Sequence, residues 1–211
     1  PRSTLFPYTT LFRSLEELDF HDIVISLKAS DVLTTVAAYR EMARRVPYPL
    51  HLGVTEAGTQ AAGTVVSAIG IGALLLDGIG DTLRVSLTAP PEREIDAGFE
   101  ILKALGIRQR GPRFISCPSC GRTAVDLIAI TEAVERELAD VQAPIHIAVM
   151  GCVVNGPGEA READIGVAGG RDSGLIFRKG EVVRKVRGRA ELLPAFMEEL
   201  EKFLDERRAG A

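Results

Sequence analysis

From Asp22 onward the chain alternates short runs of aliphatic and β-branched residues with longer stretches whose apolar positions recur every three to four residues. The short runs have the length of buried strands and the longer ones the period of amphipathic helices, which together predict βα units around a parallel sheet or barrel. Three such units succeed one another about every 28 residues. Ile23 to Leu27 reads as a buried strand, and Ser30 or Asp31 caps a helix running to about Val46. Leu50 to Val54 is the second strand, followed by a helix over roughly Gln60 to Leu76. Leu83 to Leu87 is the third, and the helix opened by Pro90 and Pro91 sets Ile95, Phe99, Leu102 and Leu105 on one apolar face.

After the basic, Gly-Pro-containing segment Arg108 to Arg113 the pattern changes, and a second module is expected to begin. Phe114 to Ser116 is a short strand, and a helix from about Thr123 to Val141 presents Leu127, Ile130, Val134, Leu138 and Val141 to a core. Ile145 to Met150 and Ile165 to Ala168 read as strands, and Leu175 to Val186 as a hairpin turning at Lys179-Gly180. A last amphipathic helix carries Leu192, Phe196, Leu200 and Phe203. This is an α+β module, distinct from the βα units before it.

Composition narrows what such a chain does. With 46% hydrophobic residues it has material for one large or two modest cores. No apolar run approaches the roughly 18 residues of a membrane helix. A formal charge of -4 with 5% aromatics offers neither the basic stripe nor the stacking surface of a nucleic-acid binder. Small molecules and proteins are therefore the expected partners, with no nucleic acid and no membrane. Three cysteines cannot pair completely, and they point to reduced thiols in a cytoplasmic protein. Residues 1–14, PRSTLFPYTTLFRS, have neither a signal-peptide core nor a helical period. They have the look of a translated sequencing adapter, so they are expected to be a non-native leader, with authentic sequence from near Leu15 and an upstream portion of the natural protein missing.

Two features carry chemistry. Polar residues stand at the C-terminal ends of the three predicted strands: Lys28, then Thr55 and Glu56, then Arg84 and Ser86. In a βα barrel that rim is where catalysis takes place, although loop residues are polar in any fold. All three cysteines lie in the second module, in SCPSCG and GCVVNGPGE. The Cys117-x-x-Cys120 turn sets two sulfurs on one side of a tight loop, and Cys152 follows directly on a hydrophobic strand. A thioredoxin-like dithiol leaves Cys152 without a role. A structural zinc site needs a histidine, for which His146 is at hand. A 4Fe-4S cluster held by three cysteines needs a harder fourth ligand, for which Glu159 stands on a loop shaped by Gly156, Pro157 and Gly158.

The segments CPSC and GCVVNGPGEA, together with SLKASD, LHLGVTEAG and GIGDTLRVSLT, resemble the bacterial 4-hydroxy-3-methylbut-2-en-1-yl diphosphate synthases of the methylerythritol phosphate pathway, from about Ile23 to the end. The resemblance implies the C-terminal portion of a TIM-type βα barrel, its last three βα units over residues 15–112, followed by a smaller α+β iron-sulfur domain over residues 113–211. It implies that Cys117, Cys120, Cys152 and Glu159 ligate a 4Fe-4S cluster, that Lys28, Arg84 and Ser86 hold the substrate diphosphate, and that Glu56 acts near the reacting carbon. The implied reaction is the reductive ring opening and dehydroxylation of 2-C-methyl-D-erythritol 2,4-cyclodiphosphate, with flavodoxin or ferredoxin as reductant. A head-to-tail homodimer is implied too, in which the barrel of one subunit meets the cluster of another. Three βα units cannot close a barrel of eight, so this chain alone is expected to bind a cluster but to turn over little substrate. A non-enzymatic electron-transfer or metal-binding module is the alternative, and it has no need of the rim residues.

Overall fold

The computed structural model describes residues 14–153, 158 and 161–209. The chain divides into two compact units, one ending at Gln109 and one beginning at Arg110.

In the first unit three extended segments run parallel. Ile25 bridges Leu50, and β1 (His51–Leu52) pairs with β2 (Thr82–Leu83), His51 opposite Thr82 and Leu52 opposite Leu83. Each segment is followed by a helix: α1 (Val32–Arg45), α2 (Gln60–Leu76) and α3 (Pro91–Ala104). This is the βα order that the hydrophobic pattern predicts. Asp31 caps α1, its carboxylate accepting from the amides of Leu33 at 3.4 Å and Thr34 at 2.7 Å. Tyr39 from α1, Leu52 from β1, and Ile71 and Leu74 from α2 are fully buried in the shared core. Each such aliphatic side chain removed from water contributes about 1.5–3 kcal/mol.

The ladders are shorter than the hydrophobic runs suggest, and Tyr39 supplies the reason at the first of them. A regular parallel ladder continues from the Ile25–Leu50 bridge by passing the Leu27 amide to the His51 carbonyl. Instead the Leu27 amide donates to the Tyr39 hydroxyl at 3.0 Å, and that hydroxyl reaches the His51 carbonyl. A phenol inserted between two strands therefore replaces a rung. The predicted face of α3 also needs correction: the residues it buries are Ala97, Gly98 and Ile101, while Ile95 is exposed. Gly98 permits close packing there, since a Cβ on it would stand 3.2 Å from Leu83.

The second unit is a five-stranded sheet in the order β3 (Pro112–Ser116), β4 (Ile145–Met150), β5 (Ile165–Gly169), β6 (Ser173–Arg178), β7 (Glu181–Arg187). The first three are parallel, and the β6–β7 hairpin adds two antiparallel strands. Its turn is Lys179-Gly180, with φ of 50° and 81°, the pair of positive angles that matches the twist of the flanking strands. Alternation divides β4 between two faces. Ile145, Ile147 and Val149 meet α4 (Leu127–Glu137) and α5 (Leu192–Ala209), whereas Ala148 and Met150 join a smaller cluster with Ala168 and Phe177 on the other side. The helix expected over Thr123 to Val141 is the shorter α4. It begins after Asp126, which caps it at 3.0 Å from the Ala129 amide, because residues 123 and 124 are held in turn contacts with Cys120 and Gly151. Among the described residues no helix is long and apolar enough to cross a membrane.

Candidate functional site

The expected site residues fall into two groups, one in each unit. In the first unit the parallel register fixes a row. The offset of the Ile25–Leu50 bridge continues to the bond from the Thr55 amide to the Ala29 carbonyl at 2.9 Å, so Lys28 stands opposite Gly53. The β1–β2 register then sets Gly53 opposite Arg84, whose amide donates to the Leu52 carbonyl at 2.8 Å. Residues level across a parallel sheet direct their side chains to the same face, so the two cations flank a glycine. That glycine is what makes room: a Cβ on Gly53 would stand 3.0 Å from the Arg84 carbonyl oxygen and 3.3 Å from a terminal guanidinium nitrogen. The guanidinium thus lies over the bare backbone of the middle strand. Among the described residues its Nε is buried without a hydrogen-bond partner, as is the Thr55 hydroxyl at the adjacent strand end. Buried donors in this state have unmet capacity toward an anion.

Lys28 and Glu56 are exposed and Ser86 is half-buried. Glu56 has φ of 56°, in the left-handed region. Such a conformation costs a non-glycine residue about 1–2 kcal/mol. Sequence reasoning singled out Lys28, Glu56, Arg84 and Ser86, but it missed Gly53. A lone glycine inside a strand pattern is the available signal, since it marks close approach by another group.

In the second unit, Cys117 immediately follows β3 and Cys152 stands two residues past β4, at the carboxyl ends of neighbouring parallel strands paired through Ser116 and Val149. The Gly151 amide points at the Cys117 sulfur, 3.2 Å away. Cys120 closes the next turn, where its amide donates to the Thr123 hydroxyl at 3.0 Å and its sulfur lies 3.9 Å from the same oxygen. All three thiols are free, Cys120 exposed and the others half-buried. Hydrogen bonding from the Arg122 amide, then from the Thr123 hydroxyl, holds the Cys120 thiol below its ordinary pKa.

Three thiols at one end of the sheet are soft donors of the kind that iron and zinc both accept, and the histidine of this unit is His146. His146 is the second residue of β4, about 13 Å along the strand from Met150, at the end away from the cysteines. The zinc alternative built on His146 is therefore disfavoured by geometry. Among the described residues no group of three or more His, Cys, Asp or Glu side chains is closed around a metal-sized point. Glu159, expected as the fourth ligand, lies outside the described residues. Sequence reasoning also missed Thr123, although a hydroxyl residue three positions after a cysteine is a recognisable turn signal.

Comparison with known proteins follows the same division of the chain. The model of the GcpE TIM-barrel domain matches residues 8–99, and that of the GcpE protein C-terminal domain matches residues 113–202. The 4-hydroxy-3-methylbut-2-en-1-yl diphosphate synthase (flavodoxin) of Geobacter sulfurreducens is 60% identical over 195 residues, covering 92% of this chain and 55% of the relative. The similarly named proteins of Clostridium perfringens and Geobacillus kaustophilus are 63% identical over 173 residues and 54% over 194. These alignments cover 82% and 92% of this chain and 50% and 52% of the relatives. The chain spans about half the length of the curated relatives it matches.

Proposed function

The chain belongs to the GcpE family, and from that premise we propose that it serves the reductive ring opening and dehydroxylation of 2-C-methyl-D-erythritol 2,4-cyclodiphosphate to 4-hydroxy-3-methylbut-2-enyl diphosphate. The relatives' names support both the product and flavodoxin as reductant. Within this reading residues 15–112 are the last three βα units of a TIM-type barrel, and residues 113–211 are the cluster-binding domain. The protein is cytoplasmic, and its working form is a head-to-tail homodimer.

The observation that carries the proposal is the row Lys28, Gly53, Arg84. A cyclic diphosphate is a compact polyanion. A lysine point charge and an arginine fork on one face, with a glycine between them, match its charge and leave space for its oxygens. The buried Nε of Arg84 and the Thr55 hydroxyl gain acceptors when phosphate oxygens arrive, which removes an existing penalty as well as adding attraction. Ser86 adds a hydroxyl two residues beyond Arg84. Glu56, held at the turn after β1, is positioned to retain or deliver a proton at the departing oxygen. An electron carrier without substrate has no use for these rim residues.

Cys117, Cys120, Cys152 and Glu159 hold the cluster in this reading. When bound, a 4Fe-4S cluster supplies single electrons and a Lewis-acidic iron with an exchangeable oxygen ligand. The Gly151 amide directed at the Cys117 sulfur offsets the negative charge that three thiolates bring together.

Anaerobic reconstitution with iron and sulfide tests this directly. The expected product is a brown protein with about four irons per chain and, after reduction, an EPR signal that changes in Glu159→Ala. Stoichiometric zinc with no visible absorption would refute the cluster. Loss of substrate-analogue binding in Lys28→Ala and Arg84→Ala, with the cluster spectrum unchanged, separates the rim's role from that of the thiols.

A further inference from the structure

Thr123 and Gly151 meet where the Cys117–Cys120 turn joins the strand end that carries Cys152. The Thr123 amide donates to the Cys120 carbonyl at 2.9 Å, and the Cys120 amide donates back to the Thr123 hydroxyl at 3.0 Å, so the turn is tied at both ends. A hydroxyl has one proton and two lone pairs. With one lone pair taken by the Cys120 amide, the proton is left for the Cys120 sulfur, 3.9 Å away.

The other side of Thr123 is packed against Gly151. A Cβ on Gly151 would stand 2.9 Å from the threonine methyl, closer than such atoms approach, and a tight 3.1 Å from its oxygen. Gly151 is bonded in both directions, its carbonyl accepting from the Ala124 amide at 2.9 Å and its amide donating to the Cys117 sulfur at 3.2 Å. These contacts form a continuous circuit from Cys120 through Thr123 and Ala124 to Gly151, and on to the sulfur of Cys117. Gly151 is covalently joined to Cys152, so a single threonine couples the parts of the chain that carry all three thiols.

We propose that Thr123 is a positioning residue for the iron-sulfur cluster, its hydroxyl holding the Cys120 turn and donating to the Cys120 sulfur while the bare backbone of Gly151 provides the space for it. The inference rests on the cluster reading above and deepens it. Ligand sulfurs that accept hydrogen bonds carry less charge, which favours the reduced and more negative cluster. Thr123 is therefore assigned two effects, retention of the cluster and elevation of its reduction potential.

The test uses the 211-residue chain reconstituted anaerobically and reads cluster loss to a chelator, the midpoint potential and the EPR spectrum of the reduced state, none of which depends on turnover. Thr123→Val keeps the shape and removes the hydroxyl. It is expected to lose its cluster about tenfold faster and to have a more negative potential, with Thr123→Ser restoring both toward the parent values. Gly151→Ala is expected to hasten cluster loss on its own and to do so much less in a Thr123→Ala background, where the two closest colliding atoms are gone. Parental retention and potential in Thr123→Val would overturn the inference. So would faster loss at an unchanged potential, which a purely structural threonine would also produce, or a Thr123→Ser protein that behaves as Thr123→Val does. If Thr123→Val does not fold by circular dichroism, the serine variant and the Gly151 pair still decide. Failure of the parent chain to take up iron would overturn the proposed function and this assignment with it, whereas a parent that holds its cluster beside an unaltered Thr123→Val overturns the assignment alone.

Discussion

Replacing Tyr39 by phenylalanine removes a single oxygen and keeps the ring, which makes it a clean probe of the phenol that replaces a ladder rung in the first unit. Tyr39 is fully buried. Its hydroxyl accepts from the Leu27 amide at 3.0 Å and lies 3.0 Å from the Leu27 carbonyl, with the His51 carbonyl nearer still. Having one proton, the hydroxyl donates to His51 and accepts from Leu27. The substitution therefore leaves one buried donor and one buried acceptor without partners. At about 1–3 kcal/mol for each orphaned group, the expected destabilisation of the first unit is about 2–6 kcal/mol. Even the lower figure lowers the midpoint of a 100-residue unit by about 8–16 °C. The measurement is thermal unfolding by circular dichroism, with amide exchange over residues 23–28 and 50–53 assigning the loss to this unit. Exchange at Leu27 should accelerate more than at any amide of the five-stranded sheet. A change below about 0.5 kcal/mol, with Leu27 still protected, would mean that the strands close up and bond directly, and the relay argument would be wrong.

The row of rim residues makes a second prediction. Gly53→Ala forces a methyl group against the Arg84 carbonyl and guanidinium, and should weaken pyrophosphate binding, measured calorimetrically, by about tenfold or more while the unit stays folded; unchanged affinity would remove Arg84 from the anion site. Glu56→Gly relieves a left-handed backbone and is expected to raise stability by about 0.5–1 kcal/mol in urea while abolishing turnover in an active family member carrying the equivalent change. A destabilised Glu56→Gly would show that the backbone is not strained there. A fourth prediction concerns pH. The Asp31 carboxylate is held below its ordinary pKa by hydrogen bonding from Thr34, side chain first and then backbone. A depressed carboxylate contributes stability that is complete above its unfolded pKa and is lost as pH falls through the lower folded value. Asp31→Asn, which still caps, should flatten the decline in melting temperature expected below about pH 4; an identical acid profile would exclude this cap as its source.

Much of this molecule follows from local rules. The βα order, the Asp31 cap, the Lys179-Gly180 turn and the helix carrying Leu192 to Phe203 are consequences of period, capping chemistry and positive-φ preference, all of which act within a few residues. The family is equally legible, since GCVVNGPGE and CPSC are contiguous strings. Pattern alone also marks Lys28, Glu56, Arg84 and Ser86 as strand-end polar residues, though it does not say which of them face one another.

What the chain's order of residues could not supply is register and insertion. Whether Lys28 is level with Arg84 depends on two parallel pairings between segments about 25–30 residues apart, and a one-residue slip in either would turn a side chain to the opposite face. The Tyr39 relay shortens a strand that reads as regular, because a residue from a helix competes for its hydrogen bonds. Gly53 and Gly151 look like ordinary glycines until the guanidinium and the threonine that lie over them are seen. Periodicity and motif are properties of neighbours along the chain, whereas these contacts join residues that only folding brings together, and packing at atomic distances decides which of them exist.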